Sequence, residues 1–163
     1  MGLLDKIFGK ISNNKLTSNE NNDLNQIPLT SEMLNEDKFW AIIENSLRNT
    51  TNEDEQELFL INEIGKLTIK EIIGFRLRTD KLLYDTYSSE MWCAAYIVNG
   101  GCSDDGFEYF RCWLISRGKE VYYKAKENTF WFGIAVLQLY PSLVSEFFWH
   151  TKFHRQESSL QSD

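Results

Sequence analysis

The sequence contains little cysteine and little proline, and what little cysteine there is forms no recognisable framework. Its 163 residues include 3 cysteines and 2 prolines. The cysteines, Cys93, Cys102 and Cys112, form no C-x-x-C pair. An odd number without such a pair fits neither a disulfide framework nor a zinc ribbon. We therefore expect reduced thiols, which are typical of a cytoplasmic protein.

The sequence also lacks a hydrophobic run long enough to cross a membrane. The longest apolar run, residues 130–140, falls well short of the roughly 20 residues that a spanning helix needs. Charged residues, namely Asp5, Lys6 and Lys10, interrupt the apolar positions at the start of the chain. This pattern is not that of a secretory signal. We therefore expect no transmembrane segment and no secretory signal.

Positively charged residues are outnumbered by negatively charged ones. The chain has 17 lysines and arginines against 24 aspartates and glutamates, which gives a formal net charge of −7 and a pI near 4.9. Nucleic acids and anionic lipid surfaces attract cationic proteins, so this balance opposes non-specific binding to either. We expect a protein partner and no nucleic-acid partner.

Two segments precede the predicted core, and one follows it. In residues 1–11, the apolar side chains share one helical face, which predicts a short amphipathic helix. Residues 12–29 are rich in asparagine and serine, and they carry too little apolar surface to offset the entropy of ordering, so we predict a flexible linker. Residues 3–11 suit weak docking to a membrane surface or a partner groove, or packing on the chain's own domain. Residues 156–163 are predicted to form a disordered tail.

Residues 30–155 predict a single compact all-α domain of about six or seven helices. No alternating strand of convincing length is present, and the nearest candidate, residues 121–125, is too short to distinguish strand from helix. Whether residues 130–153 form core helices or an exposed association surface stays open. Residues typical of helix starts occur at regular intervals: Asn35, Thr51 with Asp54, Thr68 with Glu71, Ser88 or Ser89, and Ser103.

The stretch NGGCSDDGF, residues 99–107, has two interpretations. In the structural one, Gly100 and Gly101 end one helix in the left-handed conformation and Ser103 caps the next. The two aspartates then lie in the first turn, where the helix dipole favours their charge. This interpretation explains the stretch without any ligand, with Phe107 and later apolar residues facing inward.

In the functional interpretation, the same turn forms one wall of a pocket. Asp104 or Asp105 would then act as a base or a cation ligand, and Arg111 would clamp an anion. These three residues are the catalytic candidates. Adjacent residues on a helix diverge by about 100°, so the aspartate pair alone is a weak catalytic signal.

Two other chemical sites have weaker support. Glu146, His150 and His154 are spaced four residues apart, which spreads them over roughly 12 Å of helix, too far to meet one ion. Cys102 has no neighbouring histidine, and adjacent aspartates would raise its pKa, so a nucleophilic role is not expected. We predict no metal site and no cofactor.

The motif W-x-A-A-Y-x-x-x-G-G-C-S-D-D-G-F-x-x-F-R-x-W-L runs from Trp92 to Leu114. It resembles the core motif of an uncharacterised bacterial family, domain of unknown function 4240. The resemblance extends more weakly from residue 37 to about residue 128. It implies a small, mostly helical bacterial cytoplasmic domain, and it implies no known activity, substrate or cofactor. The motif positions supply the candidate binding residues: Trp92, Tyr96, Asp104, Asp105, Arg111 and Trp113.

Two functional hypotheses follow. The leading one is a non-enzymatic protein-interaction module, because acidic surface combined with Trp, Tyr and Arg suits protein recognition. One specific form is an immunity-type protein that covers a basic partner with the acidic segment 52–57. The alternative is a small enzyme or ligand-binding domain that uses the GGCSDDGF turn. The sequence alone identifies neither a partner nor a reaction.

Overall fold

The computed structural model describes residues 31–129. Within this range the chain forms six α-helices and no strand, which confirms the all-α prediction. The predicted N-terminal helix, the linker, the metal hypothesis at 146–154 and the C-terminal tail lie outside the described residues. The helices are α1 (Glu36–Asn49), α2 (Glu53–Gly65), α3 (Ile69–Asp85), α4 (Ser89–Asn99), α5 (Asp104–Ser116) and α6 (Lys119–Glu127). Residues 121–125 are therefore helical.

Side-chain caps fix four helix starts where the sequence predicts them. Asn35, Thr68, Ser88 and Ser103 each accept a hydrogen bond from a backbone N–H in the first turn of α1, α3, α4 and α5. Such bonds satisfy donors that have no partner inside the helix. At Thr68 the Glu71 carboxylate also reaches back to the Thr68 N–H, completing a capping box.

The start of α2 differs from the prediction. Asn52, not Thr51, is the N-cap, and its Oδ1 accepts from the Glu55 N–H at 2.9 Å. The Glu55 carboxylate accepts from the backbone N–H and the hydroxyl of Thr51 at 2.8 and 2.9 Å. The predicted Thr51–Asp54 box was therefore wrong by one position. The longer glutamate side chain reaches back to Thr51 at the start of the helix. This is the usual role of glutamate in a capping box.

The apolar core collects around α5, which packs against α3, α4 and α6. As predicted, Phe107, Phe110 and Leu114 face inward and are almost completely buried. On the other side, α1 packs against α2 and α3, and the rings of Phe39 and Phe75 lie 4.5 Å apart between α1 and α3. The helix that follows the glycine turn is thus the central element of the described domain.

One buried amide ties α2 to its neighbours. The Gln56 side-chain nitrogen donates to the Ser46 hydroxyl of α1 and to the Ser116 carbonyl of α5, both at 3.0 Å. Arg117 donates to the Gln56 side-chain oxygen. Because these groups are removed from water, such hydrogen bonds fix the relative positions of the helices as well as stabilising them.

Candidate functional site

The turn between α4 and α5 requires glycine. Gly100 has φ 62° and ψ 28°, the left-handed conformation, and Gly101 has φ 137°. The Gly101 N–H donates to the Tyr96 carbonyl at 2.9 Å and the Gly100 N–H to the Ile97 carbonyl at 3.4 Å. This pair of bonds is the Schellman arrangement, which satisfies the last carbonyls of a helix. The predicted helix stop is confirmed.

The second half of the turn starts α5. The Ser103 hydroxyl accepts from the Gly106 N–H at 3.2 Å. Asp104 and Asp105 both lie in the first turn of α5 and are exposed. Their charge is therefore placed at the positive end of the helix dipole, as the structural interpretation of the turn expects.

Arg111 is held by backbone and aromatic rings. Its side chain is buried, with a relative exposure of 7%. Its Nη1 donates to the Leu83 carbonyl in the last turn of α3 at 2.7 Å. Its guanidinium carbon lies 4.3 Å from the centre of the Phe107 ring and 5.1 Å from that of Tyr87. Burial lowers the pKa of the guanidinium below its ordinary value, but arginine stays charged at any physiological pH.

The three predicted catalytic residues, Asp104, Asp105 and Arg111, are not brought together by direct polar contacts. Within residues 31–129, no hydrogen bond or ion pair links Arg111 to Asp104 or Asp105. Nε and Nη1 of Arg111 instead donate to the carbonyls of Phe107 and Leu83. The geometry makes Arg111 a cross-link between α3 and α5, where a cation at a helix C-terminus is favoured.

Two aromatic side chains, Tyr87 and Trp92, contact the buried Phe107 ring at the junction of α3, α4 and α5. Together with the exposed Tyr96, we call Tyr87 and Trp92 the aromatic surface. The ring of Phe107 lies 4.5 Å from that of Trp92 and 5.5 Å from that of Tyr87. Tyr96 lies one helical turn after Trp92, so both share a side of α4. Tyr87 is 67% exposed and Tyr96 is 56% exposed, while Trp92 is partly buried.

Trp113, the remaining candidate binding residue, lies apart from the aromatic surface. Trp113 is buried in the core, where its ring stacks on that of Phe110 at 6.0 Å. Tyr87, in contrast, belongs to the aromatic surface although the motif begins five residues later. No helical periodicity marks Tyr87, since it lies between two helices. The one sequence signal for it is that an aromatic residue directly precedes the helix cap Ser88.

The outer side of α4 carries a shallow groove next to the aromatic surface. Its lining contains one charged side chain, Glu90, and is otherwise small or apolar. Cys93 is exposed, and Ile97 is 39% exposed. The described residues that line it are Ser89, Glu90, Cys93, Ala94 and Ile97.

The chemistry of the turn does not favour a nucleophile. Burial raises the pKa of the Cys102 thiol, and the charge of Asp104 raises it further, while a hydrogen bond with Asn99 acts in the opposite direction. A thiol with a raised pKa is largely protonated at neutral pH, and the thiolate is the reactive form. Cys102 is partly buried.

Two kinds of feature are absent from the described part of the chain. Within residues 31–129, no group of three or more histidine, cysteine, aspartate or glutamate side chains is arranged to hold a metal ion. None of the six helices is long and apolar enough to cross a membrane.

The fold and the turn define a class, a small all-α domain in which a glycine turn supports an exposed aromatic surface. A family model described as a protein of unknown function (DUF4240) matches residues 34–131. The chain belongs to this family, and the resemblance noted from the sequence is confirmed. The matched range contains all six helices. No curated protein and no solved structure matches the chain.

Proposed function

We propose that the protein is a non-enzymatic interaction module of the bacterial cytoplasm, and that a protein partner binds its aromatic surface. The observation that carries this proposal is the exposure of Tyr87 and Tyr96 together with the packing of Tyr87 and Trp92 on a buried ring. Phe107 is 1% exposed and supports Trp92 at 4.5 Å. Tyrosine and tryptophan are enriched among the residues that contribute most to binding energy in protein interfaces.

The support beneath these rings favours tight binding. Arg111 fills the space behind Phe107 and Tyr87 and is anchored to Leu83. A ring that is already held in place loses little conformational freedom when a partner covers it. Most of the hydrophobic gain from covering it therefore remains available as affinity.

The charges beside the aromatic surface favour a partner with a basic rim. Glu90, Asp104, Asp105 and Glu108 are all exposed on α4 and on the first two turns of α5. A partner with an apolar centre and lysine or arginine around it would match this distribution, because complementary charge accelerates association and excludes wrong partners. The formal net charge of −7 acts in the same direction.

The immunity-type form of the hypothesis needs a different acidic face from the segment 52–57. Glu57 is buried, and Glu53 lies 3.9 Å from Arg117. Only Asp54 and Glu55 of that segment's four acids are exposed, and the Glu55 carboxylate already caps Thr51. We therefore assign the contact with a basic partner to the rim of the aromatic surface.

The alternative, a ligand pocket at the turn, has less support. It requires Arg111 to face a ligand together with Asp104 or Asp105. The Arg111 guanidinium instead bonds to Leu83 and lies against Phe107. An anion clamp would need those donors to be available at the turn.

The test is affinity capture with the full chain from a lysate of the source organism, with captured proteins quantified by mass spectrometry. Tyr96→Ala removes an exposed ring of the aromatic surface, and Leu58→Ala removes a side chain of similar exposure, 64%, on α2. We expect one partner whose recovery falls about tenfold or more with Tyr96→Ala, which is the loss expected when a strong interface residue is truncated. Leu58→Ala should capture it as the unmodified chain does. Equal recovery with all three baits would contradict the proposal.

A further inference from the structure

Helix α4 is apolar on its outer side as well as on its inner side. The inner residues Met91, Ala95 and Val98 are at most 3% exposed. The outer residues Cys93 and Ile97 are exposed and line the groove. Exposed apolar residues that line a groove often mark an interaction site, so we expect this groove to have an occupant.

The sequence contains a segment with the matching chemistry. Residues 130–145, FWFGIAVLQLYPSLVS, include no charged residue. They follow directly after Thr129, the last described residue. Apolar side chains at this density gain free energy by leaving water, and a groove with one charged residue in its lining, Glu90, is a suitable place for them.

The last described helix, α6, ends near the start of α4, where the groove begins. Near the end of α6, Lys126 Nζ lies 3.4 Å from Asp85 Oδ2 at the end of α3. Asp85 is four residues before Ser89, where the groove begins, and four residues span at most about 14 Å.

We infer that the groove on the outer side of α4 is the docking site for residues 130–140 of the same chain. The occupant is attached by the short connection that leaves α6, so its effective concentration at the groove is high and docking needs no second molecule. The groove residue Cys93 lies three residues before Tyr96, so the groove borders the aromatic surface on α4. The inference rests on the groove and on the chemistry of residues 130–140, and it does not depend on the function proposed above.

The test is photo-crosslinking of the full chain, with p-benzoyl-phenylalanine in place of the exposed Glu90 at the groove. The matched control carries the same probe in place of Leu58, which is exposed on α2. After irradiation, crosslinked peptides are mapped by mass spectrometry, and monomer and dimer bands are analysed separately. We expect crosslinks from position 90 to residues 130–140 in the monomer band, and none to that segment from position 58.

Each other result overturns the inference. Crosslinks to residues 130–140 confined to the dimer band would mean that a second copy fills the groove. Equal crosslinking from positions 58 and 90 would mean unspecific contact. Absence of crosslinks from position 90 to the segment would mean that the groove has another occupant, or none.

A second comparison tests whether the apolar side chains carry the docking. Ile134→Asp with Leu137→Asp places two charges in the segment, and Ser142→Asp with Ser145→Asp places the same charges just after it. The crosslink from position 90 should fall about tenfold or more in the first pair only, because an aspartate is costly in an apolar contact. Alkylation of the buried Cys112 reports whether each variant stays folded. If the variant with Ile134→Asp and Leu137→Asp stays folded and its crosslink is unchanged, the inference is overturned. If that variant unfolds, the inference is judged from the crosslinks of the chain without these substitutions.

Discussion

The guanidinium carbon of Arg111 lies 4.3 Å from the centre of the Phe107 ring, one helical turn earlier on α5. The same ring supports Trp92 of α4 on another side, and Arg111 also bonds to the Leu83 carbonyl of α3. One buried ring and one buried cation thus join three helices next to Tyr87 and Trp92 of the aromatic surface. The phenylalanine and arginine of the motif position the residues that we propose to meet a partner.

The first prediction concerns Arg111. Arg111→Lys should lower the free energy of unfolding by about 2 kcal/mol, because lysine loses the planar contact with two rings and does not reproduce the charged hydrogen bond to Leu83. Urea denaturation measures the change. Arg48→Lys, at a 74% exposed side chain, should change it by less than about 0.5 kcal/mol. Equal effects of the two substitutions would show that Arg111 is not a cross-link.

The second prediction concerns the glycine turn. Gly101→Ala should lower the free energy of unfolding by about 2 kcal/mol, because φ 137° is strained for any residue with a Cβ. The cost is conformational, since an added Cβ there would meet nothing within 4 Å. Gly65→Ala, in equally open space at the end of α2, should leave stability unchanged or raise it. Thermal unfolding distinguishes them, and a tolerated Gly101→Ala would exclude a strained turn.

The third prediction concerns pH. Hydrogen bonds from Lys38 and from Thr68 lower the pKa of Glu71 from 4.5 to about 2. A carboxylate whose pKa is lower in the folded state stabilises the fold above its unfolded pKa, and this contribution is lost as the pH falls. The difference in unfolding midpoint between the wild type and Glu71→Gln should therefore be full above about pH 5 and shrink toward pH 2. A difference that is independent of pH would contradict the capping-box assignment.

The fourth prediction concerns the charges beside the aromatic surface. Asp104→Asn with Asp105→Asn should slow association with the partner and reduce the dependence of that rate on salt, because exposed charges steer encounter. The dissociation rate should change less. Surface plasmon resonance at several salt concentrations measures both rates, and Asp54→Asn with Glu55→Gln on α2 is the matched control. An association rate equally affected by both pairs would indicate a general charge effect instead of a basic rim at this surface.

The local features of the fold were accessible from the sequence because they depend on neighbours along the chain. The caps at Thr68 and Ser103 and the stop at Gly100 follow from residue type and spacing alone. At α2 both Thr51 and Asn52 are good N-cap residues. The choice between them depends on whether Asp54 or Glu55 bonds back to the start of the helix. The sequence therefore predicted the helix but missed its cap.

The candidate site was less accessible because it depends on contacts distant in sequence. The acceptor for Arg111 is the Leu83 carbonyl, 28 residues earlier, and a backbone carbonyl has no residue-type signature. Glu57 stands among acids that face solvent, yet it is buried in the folded domain. Tyr87 lies between helices, so no helical periodicity connects it with Trp92 and Tyr96.

The most direct measurement is hydroxyl-radical footprinting of the captured complex against the protein alone. Oxidation of each side chain, quantified by mass spectrometry, reports whether it is exposed. We predict that binding sharply reduces oxidation of Tyr87, Trp92 and Tyr96 and leaves Leu58 on α2 unchanged. Oxidation of those three residues at the same rate in the complex as in the protein alone would contradict the assignment of the aromatic surface as the binding site.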